Sequence, residues 1–388
     1  MRGTVLAVAS ALAVAITGPA MAKPIKIGVL LPYSGVYAAL AEDIDNGFDL
    51  AIEHYGEGLE FEIIREDTET APPVGLAKAK KLAFEDEVDV LTGVVSSGVL
   101  GAIRDFVHET KIPLVISNAG LDIATGERCT PYFTRVSFTN ASPATSLGEW
   151  LAEQGVETAY TIAPDYAGGK DSVHAFTEAF EEGGGKVLGG EFTPFQKTQD
   201  FGPYLTKAKA SGAEALYVFY SGSEAVSFLK QYDSFGLKEN LPLYGAFLTS
   251  PLYVNAAGKA AEGVVSSLNY VPTIENDQNE AFVAAFTEKY GHGPAEYSAA
   301  GYDAARAIIQ AVKSGATDRA SIAEALPKAD LSDSPRGPSS IDPETHNIVQ
   351  TMYIYETVSG DGDELTQKII GTVPDFKPPL NGCEMPEF

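Results

Sequence analysis

Val88 to Phe106 reads VDVLTGVVSSGVLGAIRDF: an apolar run stops at Gly93, Ser96, Ser97 and Gly98 follow, and a helical pattern begins at once. A strand that feeds a helix through small residues leaves unpaired backbone N–H groups at the helix start. With two serine hydroxyls beside them, such a turn suits an anion. A phosphate, a carboxylate, or plain N-capping by Ser96 or Ser97 would each use it. The turn is not a nucleotide loop, because it supplies neither GxxxxGK[ST] nor GxGxxG. Nor is it a nucleophile elbow, since it is not GxSxG and no histidine or acid is marked as a partner.

Similar small polar segments end other apolar runs: LLPYSGVYAAL, VISNAGLD, IAPDYAGGKDSV, FYSGSEAV and YGAFLTSPL. Tyr33, Tyr37, Tyr166, Tyr220 and Phe247 are interleaved among them. Donors on one wall and rings on the other are what a small-ligand cleft requires. The elements that must position these turns alternate. Strands are expected at 25–31, 59–64, 88–94 and 112–117, with helices at 38–55, 74–84 and 100–109 between them. After 132–142 the rhythm restarts, with strands at 157–163, 186–192, 214–220, 241–246 and 262–268. The fold class is therefore α/β, with two mostly parallel sheets flanked by helices and ligand at the strands' carboxyl edges. Helices at 278–290 and 298–313, then a turn-rich stretch and one clear strand, do not make a third unit. They imply a return to both halves, with three crossings near 137–142, 268–272 and 335–343 forming a hinge. The first lobe is expected to span 23–139 and 271–337, the second 140–270 and 338–388.

Arg2, the apolar stretch TVLAVASALAVAITGPAMA and the small-x-small pattern ending at Ala22 predict a signal peptide over residues 1–22, and so a periplasmic protein. No later segment is long and apolar enough to cross a membrane. The 53 acidic residues against 27 basic ones argue against nucleic acid and anionic membrane surfaces as partners. Any anionic ligand then needs local donors, because the overall field repels it. In an exported chain the two cysteines, Cys129 and Cys383, are expected to form a disulfide that ties the Pro-rich tail to the end of the first lobe. Five scattered histidines offer no metal-ligand spacing. No cofactor is expected.

KPIKIGVLLPYSG, LTGVVSSG, IPLVISNAG, DYAGGKD, ALYVFYSGSEAVSFLKQYDSFGL, AEYSAAGYDAARAI and IDPETHNIVQTMYIY, in this order, resemble the periplasmic solute-binding proteins of branched-chain amino acid transporters. The likeness spans essentially the whole mature chain. It implies a two-lobe type I binding protein, a monomer, that closes on a small molecule and delivers it to an inner-membrane ABC permease. In leucine-type members the turn after the third strand holds the ligand carboxylate with a serine, matched by Ser97 with Ser96 beside it. The members' ammonium site is not matched: Ala119 keeps the backbone carbonyl, but Leu121 stands at a threonine position, Gly168 at a tyrosine position, and Phe247 at the acidic position. A buried ammonium without an acidic partner costs several kcal/mol.

The expected ligand is therefore an aromatic or hydrophobic monocarboxylate: a benzoate, a hydroxybenzoate or a cinnamate-like acid. Ser97, Ser96, Asn118 and Ala119 are expected to hold the carboxylate, Tyr33, Tyr37 and Phe247 to flank the apolar body, and Tyr166 and Ser223 to close from the second lobe. Three alternatives stand beside this: a binding protein for branched-chain or other hydrophobic amino acids, a ligand-sensing partner of a membrane receptor, and a secreted enzyme. For the enzyme, Asp165 and His174 are the nearest acid-base candidates; as no third member joins them, no enzymatic activity is expected.

Overall fold

In the computed structural model, residues 23–360, 362 and 364–388 are described; the expected signal peptide lies outside them. β1 (Ile25–Leu31) is an almost wholly buried apolar run, as a central parallel strand should be. It pairs in parallel with β2 (Phe61–Asp67) on one side and β3 (Val90–Gly93) on the other. β4 (Leu114–Ile116) and β5 (Phe133–Arg135) extend the sheet, whose order is β2-β1-β3-β4-β5. Helices α1 (Ala38–Tyr55), α2 (Pro72–Phe84) and α3 (Ser97–Thr110) connect its first four strands.

After α4 (Ala141–Glu153) the second sheet begins with β6 (Thr158–Pro164), β7 (Lys186–Thr193), β8 (Ala215–Phe219), β9 (Leu243–Ala246) and β10 (Val265–Leu268). Helices α5 (Ala167–Glu182), α6 (Gly202–Ala210), α7 (Gly222–Ser234) and α8 (Val254–Ala257) lie between these strands. The chain then returns to the first sheet's side with α9 (Asp277–Tyr290), α10 (Glu296–Lys313) and α11 (Arg319–Ala325). α10 lies against α1 so closely that a Cβ on Gly47 would stand 1.9 Å from the Ser298 carbonyl oxygen, and one on Gly301 2.1 Å from that of Ile44. Only glycine leaves that space.

The C-terminal stretch differs from the sequence expectation. It holds three strands rather than one clear strand: β11 (Ser340–Ile341), β12 (Ile348–Ser359) and β13 (Leu365–Phe376). All three join the second sheet antiparallel, in the order β11-β12-β10-β9-β8-β6-β7 with β13 on β12. β13 is half exposed and carries Pro374 and Lys368, which an edge strand tolerates.

The chain passes between the sheets after β5, after β10 and before β11. The three passages meet at one acceptor: the Ser137 carbonyl receives Asn269 Nδ2 at 3.2 Å, Arg336 Nη1 at 3.4 Å and Gln350 Nε2 at 2.5 Å. Arg336 is fully buried and pairs with the equally buried Asp303 of α10 at 2.5 Å. Cys129 and Cys383 are bonded, their Cα atoms 5.6 Å apart, which ties the tail beyond β13 to the loop before β5 across 254 residues of sequence.

Candidate ligand pocket

Between the carboxyl edges of the two sheets lies a small cavity. Tyr37, Asn140, Tyr166 and Ser221, the N-cap residues of α1, α4, α5 and α7, line it, with Ser97, the first residue of α3, and Tyr297, the second of α10. Six helices thus begin at this one space. Each helix start carries the positive end of the helix dipole, but N–H groups at the starts of α1, α4 and α10 are taken by the Gly35 carbonyl, by Asp122 and Thr139, and by Asp43, which leaves the starts of α3, α5 and α7 to offer donors. Among the described residues, no acidic or basic side chain lines the cavity.

The turn at Ser97 is built on strained backbone. Gly93 has φ 110° and Val94 φ 64°, a conformation a β-branched residue rarely adopts. Val94 is held there by its N–H on the Leu30 carbonyl (2.7 Å) and by the Ala119 N–H on its own carbonyl (2.8 Å). Ser97 Oγ accepts from Asn140 Nδ2 at 3.0 Å, and that nitrogen also donates to Asp171 Oδ2 at 3.0 Å. Since Asp171 accepts, the amide nitrogen must face both atoms, and the hydroxyl proton of Ser97 is left to donate elsewhere. This wall therefore presents a donor.

Asn118 reverses the polarity expected of it. Its Nδ2 donates to the Val95 carbonyl at 3.2 Å, while its buried Oδ1 has no partner. It offers an acceptor, not a donor. Ala119 does not line the cavity, and its N–H is spent on Val94. Ser96 is the N-cap of α3 without a side-chain cap bond, and it too lies off the cavity.

The apolar part is a set of rings. Phe138 and Phe247 lie 4.5 Å apart between centroids, and Phe219 meets Phe247 edge-on at 6.0 Å. Phe247 also has positive φ, 62°, and its carbonyl accepts from the Tyr253 hydroxyl, which helps hold the ring in place. Tyr166 stacks on Phe195 at 4.1 Å, and burial pushes its hydroxyl and that of Tyr37 far above the usual range, so both stay neutral. The space at Gly168 is not open to ligand: a Cβ there would stand 2.6 Å from the Tyr166 hydroxyl, so the missing side chain makes room for that phenol.

Of the expected residues, Tyr37, Ser97, Asn118, Tyr166 and Phe247 meet at the cavity. Tyr33 does not: its hydroxyl donates to Asp45 Oδ2 at 2.8 Å and its N–H to Asp67 Oδ1 at 2.9 Å. Ser223 is exposed, and the serine of that turn which faces the cavity is Ser221, two residues earlier. Asp165 pairs with Lys170 at 2.9 Å on the surface and His174 is exposed; neither lines the cavity. Among the described residues, no cluster of His, Cys, Asp and Glu could hold a metal.

Sequence reading missed Phe138, Asn140 and Tyr297. Phe138 and Asn140 sit in the first crossing, and Tyr297 starts a helix of the C-terminal third, so only the return of the chain brings them to the cavity. Two acids stand close by but outside. Burial raises Glu224 to about 7 and Glu296 to about 8, the latter accepting from Ser250 Oγ at 2.9 Å.

Known proteins share this architecture. A solute-binding protein of an ABC transporter from R. palustris, solved in complex with benzoate, is 32% identical and superposes with a TM-score of 0.87, covering 93% of this chain and 100% of its own. One from Rhodopseudomonas palustris BisB5, in complex with 3,4-dihydroxybenzoic acid, is 31% identical with a TM-score of 0.84, covering 92% and 99%. Leu/Ile/Val-binding protein homolog 6 of Brucella melitensis is 30% identical over 365 residues, 91% of this chain and 92% of the relative. With these type I structures over nearly its full length, and with the family model for periplasmic binding proteins matching residues 24–363, the chain belongs to the periplasmic binding protein family.

Proposed function

We propose that this protein is the extracytoplasmic binding component of an ABC importer and that its ligand is a small aromatic carboxylate. The observation that carries this reading is the cavity's lining: six helix N-termini and a cluster of rings, with no charged side chain. The starts of α3, α5 and α7 and the Ser97 hydroxyl supply donors to a carboxylate. Phe138, Phe219 and Phe247 supply a surface for a flat apolar body. An amino acid fits less well. Its ammonium has three N–H donors, and the side-chain acceptor left without a partner at the cavity is Asn118 Oδ1. The relatives solved with benzoate and 3,4-dihydroxybenzoic acid support the same choice.

In this reading residues 1–22 direct export to the periplasm and are cleaved. Residues 23–139 with 271–337 and residues 140–270 with 338–388 close as two lobes, and the closed monomer docks on an inner-membrane permease. Binding without turnover is its whole task. The test is thermal unfolding of the mature protein with leucine, isoleucine, benzoate, 4-hydroxybenzoate or 4-coumarate. A ligand at 100 times its dissociation constant adds about 2.7 kcal/mol, a visible shift of the midpoint. Shifts with the aromatic acids alone bear the proposal out. A shift with leucine alone refutes it.

A further inference from the structure

Asp171 stands on α5, between two strands of the second sheet, yet its hydrogen bonds run toward the first. Its Oδ2 accepts the Asp122 N–H at 3.2 Å, from the segment after β4, and Asn140 Nδ2 at 3.0 Å. Asn140 is itself tied to that segment. Its N–H donates to the Gly120 carbonyl at 2.7 Å, and a Cβ on Gly120 would stand 2.4 Å from Asn140 Oδ1, so only glycine leaves the amide that room. The same Nδ2 donates to Ser97 Oγ at 3.0 Å, on the cavity wall. One amide group thus touches a helix of the second sheet, a loop of the first, and Ser97. A carboxylate only accepts, so Asp171 obliges Nδ2 to face it and Ser97 together. With Asp171 withdrawn, nothing holds the amide that way round, and Oδ1 can turn to Ser97 and take its proton.

We propose that Asp171 is a positioning residue that makes the donor at Ser97 conditional on closure: the Ser97 proton is free for a ligand only while α5 is seated against the loop that carries Asp122. This rests on the two-lobe, aromatic-carboxylate reading above. In the open form Asp171 moves away with the second sheet, Asn140 presents Oδ1, and Ser97 donates to it. Closing turns the amide and releases the proton toward the cavity. A carboxylate, which accepts at both oxygens, uses that donor in full. A neutral amide of the same shape has an NH2 in place of one oxygen and gains less. Selection for an anion is thereby made at the closing step, in a cavity that, among the described residues, has no basic side chain at its lining.

The experiment is calorimetric titration of the mature protein with benzoate and 4-hydroxybenzoate, each beside its neutral amide. The unaltered protein should bind the acids about tenfold or more tightly than the amides, and small-angle scattering should show it contract on binding an acid. Asp171→Asn, whose NH2 can donate to a turned Asn140, should bring the acid-to-amide ratio toward one. Asp171→Ala, which removes the acceptor outright, should do the same. In a Ser97→Ala background neither change should lower the ratio further, because both act through the Ser97 proton. Equal losses for acid and amide in the Asp171 variants mean that Asp171 only holds the two halves together. That result overturns the inference and leaves the aromatic-carboxylate reading standing. A fall in the ratio that adds in full to that of Ser97→Ala overturns it too, as does tight acid binding without contraction. Failure of both acids to bind overturns the inference and the reading alike.

Discussion

Asp171 sets the direction of the hydrogen bonds around Ser97. By holding Asn140 Nδ2 it makes Ser97 Oγ an acceptor on one side and leaves its proton to be donated on the other. If the ligand is the proposed carboxylate, Ser97→Ala removes a donor to it, and hydrogen bonds to charged groups are worth about 1.5–3 kcal/mol. Affinity for an aromatic acid should fall by about ten- to a hundredfold in a calorimetric titration, with the unligated melting point nearly unchanged. Glu296 yields a prediction of the opposite kind, on stability rather than binding. Burial raises it to about 8, so the folded protein keeps a proton that the unfolded chain has lost above its ordinary value of 4.5. Stability from this group is fully present below about 4.5 and falls as pH rises toward 8. Glu296→Gln should flatten the decline in melting temperature between pH 5 and pH 8. An unchanged slope would show that Glu296 is ionised in the folded state.

At the level of elements, the crossings hang on the Ser137 carbonyl and on the buried pair Arg336–Asp303, both fully shielded from water. Asp303 also holds Arg306 at 3.0 Å and Ser334 Oγ at 2.6 Å. Asp303→Asn leaves Arg336 buried without its counter-charge, a loss expected to cost about 3–5 kcal/mol. The urea midpoint should drop accordingly, and an unchanged midpoint would rule out the pair as the clasp of the hinge. None of this clasp was legible in the sequence, because its members lie far apart and an arginine or aspartate alone gives no periodic signal. The alternation of strands and helices was legible: α1 falls on the expected 38–55, and β1 on 25–31. α3 begins at Ser97 rather than 100, since the small residues SSG read as a turn yet form the helix's first turn. The same ambiguity displaced the cavity serine to Ser223, because composition cannot tell an N-cap residue from its neighbour two positions on. Tyr33 shows the limit from the other side. It is the right residue type beside the right strand, but Asp45 takes its hydroxyl.

For the molecule as a whole, charge and site oppose each other. The chain carries a formal charge of −26, while the ligand proposed above is a carboxylate and, among the described residues, no basic side chain lines the cavity. Helix N-termini act within about one turn, whereas the net charge acts over the Debye length, about 10 Å at 0.1 M salt and about 30 Å at 0.01 M. An approaching anion therefore meets the repulsive field first and the attractive helix starts only at contact. Salt should screen the first and leave the second, buried inside the cavity, nearly untouched. The association rate of 4-hydroxybenzoate, measured by stopped flow, should rise as salt goes from 10 to 100 mM, with little change in the dissociation rate. Neutral 4-hydroxybenzamide serves as the control, and its association rate should not respond. An association rate that falls with added salt would mean that the cleft mouth carries a positive local field strong enough to outweigh the whole-chain charge. The helix starts would then be steering the ligand as well as holding it.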